Sequence, residues 1–265
     1  MDNENTSNVM VFAHRGASKN FPENTMPAFK RAAELGVDYI ETDVRFTKDE
    51  KFALIHDESI DRITNGTGLV SSYTMDELKR FDAAYHFIND NGKTFPYRSQ
   101  GIEMMSIDEL LTAFPDLKFD IDIKDKNPSQ IKRFVEIIDK YNAYDRVIAC
   151  SKHYVNLNAI RRMCPQIITA FSLWEMMWIF FLYKCGFLFL DLPLKGNALQ
   201  LPEAYGQFKI VSGKFIDELH KKGIEFHVWV VNEEDAMRRF INMGVDGIMT
   251  DDPALLMKVL GRKKV

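Results

Sequence analysis

The chain has 265 residues, of which 46% are hydrophobic and 27% charged, and its 34 Lys and Arg against 38 Asp and Glu leave a net charge of −4. Such a composition is that of a soluble globular protein and excludes a largely disordered chain. The near balance of charge, with no broad basic stripe, excludes a surface built to neutralise a nucleic-acid backbone.

In chain order, the polar and acidic opening MDNENTSNVM lacks the basic-then-apolar pattern of an export signal, so a cytoplasmic location is expected. A first strand is expected at 9–14, ending in His14-Arg15-Gly16, and a helix at 25–35 stopped by Gly36. Strands follow at 39–44, carrying Glu41-x-Asp43, and at 52–56, ending in His56-Asp57. The alternation then breaks over 57–111, where the capping boxes Thr74-x-x-Glu77 and Ser106-x-x-Glu109 start short helices around a polar stretch. This segment reads as an insertion on one loop, after the third strand. Further strands are expected at 118–124, containing Asp120-Ile121-Asp122-Ile123-Lys124, and at 147–151, 167–171, 198–201, 225–231 and 247–250. Helices accompany them at 129–141, at 214–222 before Gly223, and at 233–243 before Gly244.

Residues 171–194, FSLWEMMWIFFLYKCGFLFLDLPL, are the most apolar part of the chain. Glu175, Lys184 and Asp191 interrupt them and leave charge-free runs of eight and six residues, too short for a membrane span of about 20. Apolarity all round makes a helix buried against the core the plainer expectation. A lid that touches lipid beside the site, giving a peripheral membrane contact, is the sharper one. Cys150, Cys164 and Cys185 contain no C-x-x-C pair, which argues against a disulfide framework or thiolate zinc site and fits a reducing compartment. The basic end Arg262-Lys263-Lys264 is expected to be solvated.

Strands alternating with helices place the chain in the α/β class. It has neither G-x-G-x-x-G after the first strand nor G-x-x-x-x-G-K-[ST], so a (β/α)8 TIM barrel of typical size, about 250 residues, is expected rather than an open doubly wound sheet. Nine strand candidates exceed a closed ring by one. No repeat or linker divides the chain, which reads as one barrel over 1–265 with 57–111 inserted in it.

In such barrels the side chains at the C-terminal strand ends meet the ligand. Alternation puts Glu41 and Asp43 on one face of their strand and sets the polar side of the 118–124 strand apart from its apolar side. Polar groups turned into a barrel cost roughly 2–7 kcal/mol each if left without partners, so carboxylates there need a cation or strong donors, and a metal ion is the economical answer. Oxygen donors without thiolates favour a hard divalent ion, Mg²⁺ or Ca²⁺, over zinc. With Arg15 to hold a phosphoryl group by its planar fork, and His14 and His56 to take and give protons, the set suits phosphoester hydrolysis.

In order along residues 10–257, the chain resembles the glycerophosphodiester phosphodiesterase family. The matching motifs are His14-Arg15-Gly16, Pro22-Glu23-Asn24-Thr25, Glu41-x-Asp43, His56-Asp57, Arg62-x-Thr64, Trp229-x-x-Asn232 and 247-GIMTDDP-253. The resemblance implies a metal-dependent hydrolase that converts glycerophosphodiesters to an alcohol and sn-glycerol 3-phosphate, by attack of the neighbouring glycerol hydroxyl and a cyclic phosphate that water opens. By position it implies His14 and His56 as the acid–base pair, Glu41 and Asp43 as metal ligands, and Arg15 as the phosphate binder. Asp122-x-Lys124 stands where the family more often has E-x-K; Asp122 is then the third ligand, one methylene shorter, or a carboxylate that Lys124 pairs. Met105 stands where many members have proline.

This I-D-I-K form, the apolar stretch and 229-WVVNEE-234 resemble members of the lysophospholipase D type, which makes a lysophospholipid the alternative substrate. An inactive barrel that only binds phosphate compounds is the alternative of another class. Several residues keep two readings. Arg15 could be an ion-pair partner of Glu41, Glu23 could belong to a helix cap or support the site, and Trp229 could pack the core or line the glycerol pocket. Lys124 is a candidate for substrate contact. Asp251 is expected to cap the last helix, and His86, His153, His220 and His227 to be surface or core residues.

Overall fold

Along 39-YIETDVRF-46, successive side chains turn to opposite faces of the strand. Ile40 and Val44 enter the layer packed under the helices, which leaves Glu41 and Asp43 facing the other way. The same rhythm in 119-FDIDI-123 sends Ile121 and Ile123 outward and the aspartates inward.

The computed structural model describes residues 8–262 apart from 90, 91, 191, 206, 207 and 210, without the side chains of 204–210. The first seven residues, Asp191 and the Lys263-Lys264 end, on which expectations were placed, lie outside the described residues. The strands are β1 (Met10–Ala13), β2 (Tyr39–Phe46), β3 (Phe52–Leu54), β4 (Phe119–Ile123), β5 (Val147–Cys150), β6 (Ile168–Thr169), β7 (Ala198–Pro202), β8 (Ala204–Tyr205), β9 (Phe208–Lys209), β10 (Glu225–Trp229) and β11 (Gly247–Thr250). The helices are α1 (Met26–Leu35), α2 (Met75–Leu78), α3 (Ile107–Ala113), α4 (Pro128–Lys140), α5 (Tyr154–Met163), α6 (Leu173–Lys184), α7 (Gly213–His220), α8 (Glu234–Met243) and α9 (Pro253–Val259).

Eight parallel strands run β6-β5-β4-β2-β1-β11-β10-β7, and a parallel bridge between Ala170 and Ala198 joins the two ends. The result is the expected (β/α)8 barrel. Its outer layer is aliphatic and aromatic, while Phe12, Tyr39, Ile148 and Met249 form a smaller cluster, where Phe12 stacks on Tyr39 at 4.8 Å. The helices expected to stop at Gly36 and Gly244 do so.

The ninth strand is β3, which pairs antiparallel with the far end of β2, Val44 opposite Leu54. The turn between them is pinned by Thr47 N–H and Lys51 N–H bonds, to the Lys51 carbonyl and the Thr47 hydroxyl respectively. The segment 57–111 therefore leaves from a strand outside the ring. It gathers its own small core of Ile60, Val70, Met75, Leu78, Ala83 and Met104 against Ala53 and Ile55, and its last residues run into α3. Both capping boxes form.

Gly16 ties β1 to α1. Its φ is +84°, and a Cβ there would lie 2.8 Å from the backbone carbon and Cβ of Ala28. Gly16→Ala combines a left-handed strain of about 1–2 kcal/mol with overpacking of about 1–3 kcal/mol. The expected result is a melting temperature lower by about 5–15 °C, read by thermal denaturation; a variant as stable as the wild type would contradict this close approach.

Candidate active site

The C-terminal ends of the ring strands surround a cavity of about 260 Å³, lined by His14, Arg15, Glu41, Asp43, His56, Asp122, Lys124 and Trp229 among others. Eight of the nine side chains singled out from the sequence thus meet in one place. The ninth, Glu23, stands behind it and reaches Arg15 at 2.9 Å.

His14 follows β1, where its backbone N–H bonds to the Thr250 carbonyl on β11. Its Nδ1 lies 2.6 Å from Asp251 Oδ1. A carboxylate can only accept, so Nδ1 donates and Nε2 is left free for chemistry; that atom sits 4.0 Å from Glu41 Oε2. Asp251 also accepts from Ser18 Oγ at 3.0 Å and Asn232 Nδ2 at 2.6 Å. Burial pushes its carboxyl upward, but the bonds from His14, Asn232 and Ser18 outweigh that and hold it at about 2. The cap on α9 is Asp252, whose Oδ1 accepts from Leu255 N–H at 3.1 Å. The expectation for Asp251 is thereby corrected: the neighbouring aspartate caps the helix, and Asp251 orients an imidazole.

His56 reaches the same cavity from β3. Ile55 N–H bonds to the Asp43 carbonyl, which brings the end of β3 alongside the carboxylates of β2. His56 Nδ1 lies 2.7 Å from Asp57 Oδ1, so its Nε2 is also left free. Asp57 in turn bonds to Arg62 Nε. Burial raises its carboxyl, while Arg62 and His56 together bring it down to about 2.

Arg15 has φ +53°, a left-handed conformation uncommon for a side chain of this size. Its backbone N–H, not its guanidinium, meets Glu41, at 2.9 Å. The guanidinium pairs with Glu23 and with Asp43, the latter at 3.2 Å. The reading of Arg15 as an ion-pair partner of Glu41 is thus replaced by one in which the backbone holds Glu41 and the side chain spans two other acids. Glu23 accepts from Arg62 as well, at 2.6 and 2.8 Å, and Thr25 at the N-cap of α1 makes no side-chain cap. Glu23 therefore clamps two guanidinium groups. Arg62 and Asn24 belong to this framework too. Buried Asn24 donates to Asp43 Oδ2 at 3.2 Å and accepts from the Thr42 hydroxyl at 2.8 Å.

The register of β2 on β4 sets Asp43 beside Asp122 and Glu41 beside Asp120. Burial, then the Asp43 charge, pushes the Glu41 carboxyl well above the ordinary carboxylate range. Asp43 is lowered in spite of its burial, by Lys124 and Arg15. Lys124 Nζ stands 2.7 Å from Asp43 Oδ1 and 2.6 Å from Asp122 Oδ2. The pairing of Asp122 by Lys124 is therefore present. Deeper in, burial pushes Asp120 up to about 6; it accepts from Cys150 Sγ and Gln200 Nε2, both at 2.6 Å.

Among the described residues, no three His, Cys, Asp or Glu side chains converge as an assembled metal cluster. The acids nonetheless fit a hard cation by their chemistry. All donors are oxygens, and Asp122 Oδ1 is buried with no hydrogen-bond partner.

Trp229, 39% exposed at the end of β10, lines the cavity instead of packing the core. His227 is fully buried against the Phe12 ring at 4.6 Å, and His86, His153 and His220 are not among the cavity's lining residues. The stretch 171–194 meets the plainer expectation on one side only, where Phe171, Ile179, Leu182 and Leu188 belong to the core and Met176, Phe180 and Tyr183 pack against it. In α6 only Ile179 and Leu182 are buried, and no helix among the described residues is long and apolar enough to cross a membrane.

Comparison with known proteins gives concordant matches. The sequence model of the glycerophosphoryl diester phosphodiesterase family matches residues 14–255. The chain is 36% identical over 258 residues to a glycerophosphodiester phosphodiesterase of Caldanaerobacter subterraneus, covering 95% of this chain and 98% of that one. It is 28% identical over 270 residues to a lysophospholipase D of Homo sapiens, covering 94% of this chain and 85% of that one. A phosphodiesterase of Oleispira antarctica, solved in complex with the product sn-glycerol-3-phosphate, superposes with a TM-score of 0.77 at 20% identity, covering 95% and 96% of the two chains.

Proposed function

Because the chain belongs to the glycerophosphoryl diester phosphodiesterase family, we propose that it hydrolyses glycerophosphodiesters to an alcohol and sn-glycerol 3-phosphate at the His14–His56 cavity. The observation that carries this reading is the pair of imidazoles facing one cavity, each with Nδ1 bound to a carboxylate. Such anchoring fixes the tautomer and presents Nε2 to the substrate.

In the first step the glycerol hydroxyl next to the diester forms a bond to phosphorus while the bond to the leaving alcohol breaks. One imidazole accepts the hydroxyl proton at Nε2, and the other, as imidazolium, gives its Nε2 proton to the departing oxygen. Water then opens the cyclic phosphate with the two roles exchanged, which releases sn-glycerol 3-phosphate and restores both rings. Arg15 and Lys124 supply positive charge to the phosphoryl oxygens, and Trp229 lines the approach to them.

The reading includes a divalent ion, Mg²⁺ or Ca²⁺, with Glu41, Asp43 and Asp122 as its holders. When bound it would neutralise charge on the phosphoryl group. Metal removal by a chelator is the expected means of silencing the enzyme, with activity restored by adding back either ion; turnover undiminished after exhaustive chelation would remove the ion from the mechanism.

A lysophospholipid is the second substrate class, favoured by one observation. Phe171 and Met176 form part of the cavity wall, at the start of an apolar helix, which gives an acyl chain apolar side chains to lie against. Glycerophosphocholine, glycerophosphoethanolamine and lysophosphatidylcholine, offered with Mg²⁺ or Ca²⁺, separate the readings. Release of glycerol 3-phosphate from the first two is expected, release of choline from the third marks the lipid branch, and silence on all three points to a barrel that only binds phosphate compounds.

A further inference from the structure

Helix α6 is apolar in its sequence, yet six of its twelve residues are exposed. Trp174, Met177, Trp178 and Phe181 fall at i, i+3, i+4 and i+7, one side of the helix, and are 70%, 53%, 51% and 54% exposed. After the helix, Phe187 and Phe189 add exposures of 51% and 68%. Six large apolar side chains on one helix and the turn after it exceed the scattered exposure that is ordinary on a monomer and mark a surface that meets something.

Three features identify the occupant. The ridge is too short to span a bilayer, since α6 has 12 residues, but two Trp with Phe and Met form the apolar face of a helix that lies in a membrane interface. Its border is basic. Lys184 sits 5.1 Å above the Phe180 ring, Lys214 and Lys184 border the same recess as Phe189, and Lys222 Nζ bonds the carbonyl groups of Phe189 and Leu190 at 3.3 and 2.5 Å. Nearby acids are engaged: Glu175 with Arg161 at 2.6 Å and Glu218 with Lys221 at 2.7 Å. Among the described residues no carboxylate forms an ion pair with Lys184, Lys214 or Lys222; Glu218 lines the same recess and acts on Lys214 and Lys222 as well as on Lys221, so four lysines face that acid on this border. Finally, Met176 on the same helix and Phe171 just before it line the catalytic cavity, so the helix that carries the ridge also walls the site.

We propose that the outer side of α6 and the turn at 187–190 dock this protein on the surface of a bilayer bearing anionic lipids, with the aromatic side chains among the headgroups and the lysines against their charge. Resting on the function proposed above, this arrangement would let a diester be drawn into the cavity while its acyl chain stays at the membrane surface.

The test is co-sedimentation of the full chain with phosphatidylcholine vesicles, with and without phosphatidylglycerol. Binding to the anionic vesicles, together with a blue shift of tryptophan emission, is expected. The triple variant Trp174→Ser, Trp178→Ser and Phe189→Ser should bind at least about tenfold more weakly, as the loss of about 1.4 kcal/mol or more of apolar burial requires. Its melting temperature and its hydrolysis of soluble glycerophosphocholine should be unchanged. Lys184→Glu with Lys214→Glu should abolish the preference for phosphatidylglycerol. Wild-type protein that stays in the supernatant with both vesicles overturns the proposal, as does a vesicle-free dimer that the triple variant converts to monomer, because a second copy then covers the ridge. Vesicle binding is read without turnover, so a failure of the hydrolytic reading would leave it measurable and separate.

Discussion

Replacing either His14 or His56 with alanine is expected to lower kcat by about 10²–10⁴, the range that proton transfer by a positioned side chain supplies. Each ring offers Nε2 to a shared cavity while a carboxylate holds Nδ1, so neither can stand in for the other. The two losses should not multiply in the double variant, because a diester that has lost one proton carrier gains little from the second. Initial rates on glycerophosphocholine check this, with thermal melting to show that the fold survives. A variant lacking one ring that turns over at the wild-type rate would remove that ring from the chemistry.

Asp251→Asn is expected to lower kcat by about 10²-fold while leaving KM nearly unchanged, since Asp251 touches His14 and not the space for substrate. An amide in its place can present a donor to Nδ1, which turns the ring to the wrong tautomer or breaks its anchor. The stability effect has a definite sign. Asp251 is held at about 2 in the folded chain against about 3.9 when unfolded. A lowered folded value contributes stability that is complete above about pH 4 and fades as pH falls toward about 2. In Asp251→Asn that contribution is missing, so acid unfolding should become shallower over this window, as followed by circular dichroism.

Much of the site is legible in the sequence because strand ends and side-chain alternation are local facts. His14, Glu41, Asp43 and Asp122 each occupy a position that period two and a barrel topology assign to the same mouth. The part that is not legible depends on pairing. The 52–56 stretch is as short and apolar as a ring strand, and its antiparallel partner shows otherwise. A signal was present, since β2 ends at Phe46 and β3 starts at Phe52, whereas a parallel crossover needs a dozen residues or more. Which of two adjacent aspartates caps α9 turns on a one-residue shift that spacing alone does not resolve. For 171–194 the rule that apolar on all sides means buried holds for one side and fails for the other, because it assumes that the protein supplies the whole cover.

The first and last strands of the ring are neighbours, Met10 to Ala13 against Gly247 to Thr250, and the His14–Asp251 bond bridges that seam across 237 positions of sequence. As the polypeptide emerges from the ribosome, the imidazole appears early and its orienting carboxylate near the finish. The orientation of His14 therefore arises only once the first and last strands have paired, so a partly made chain lacks the carboxylate that fixes this ring.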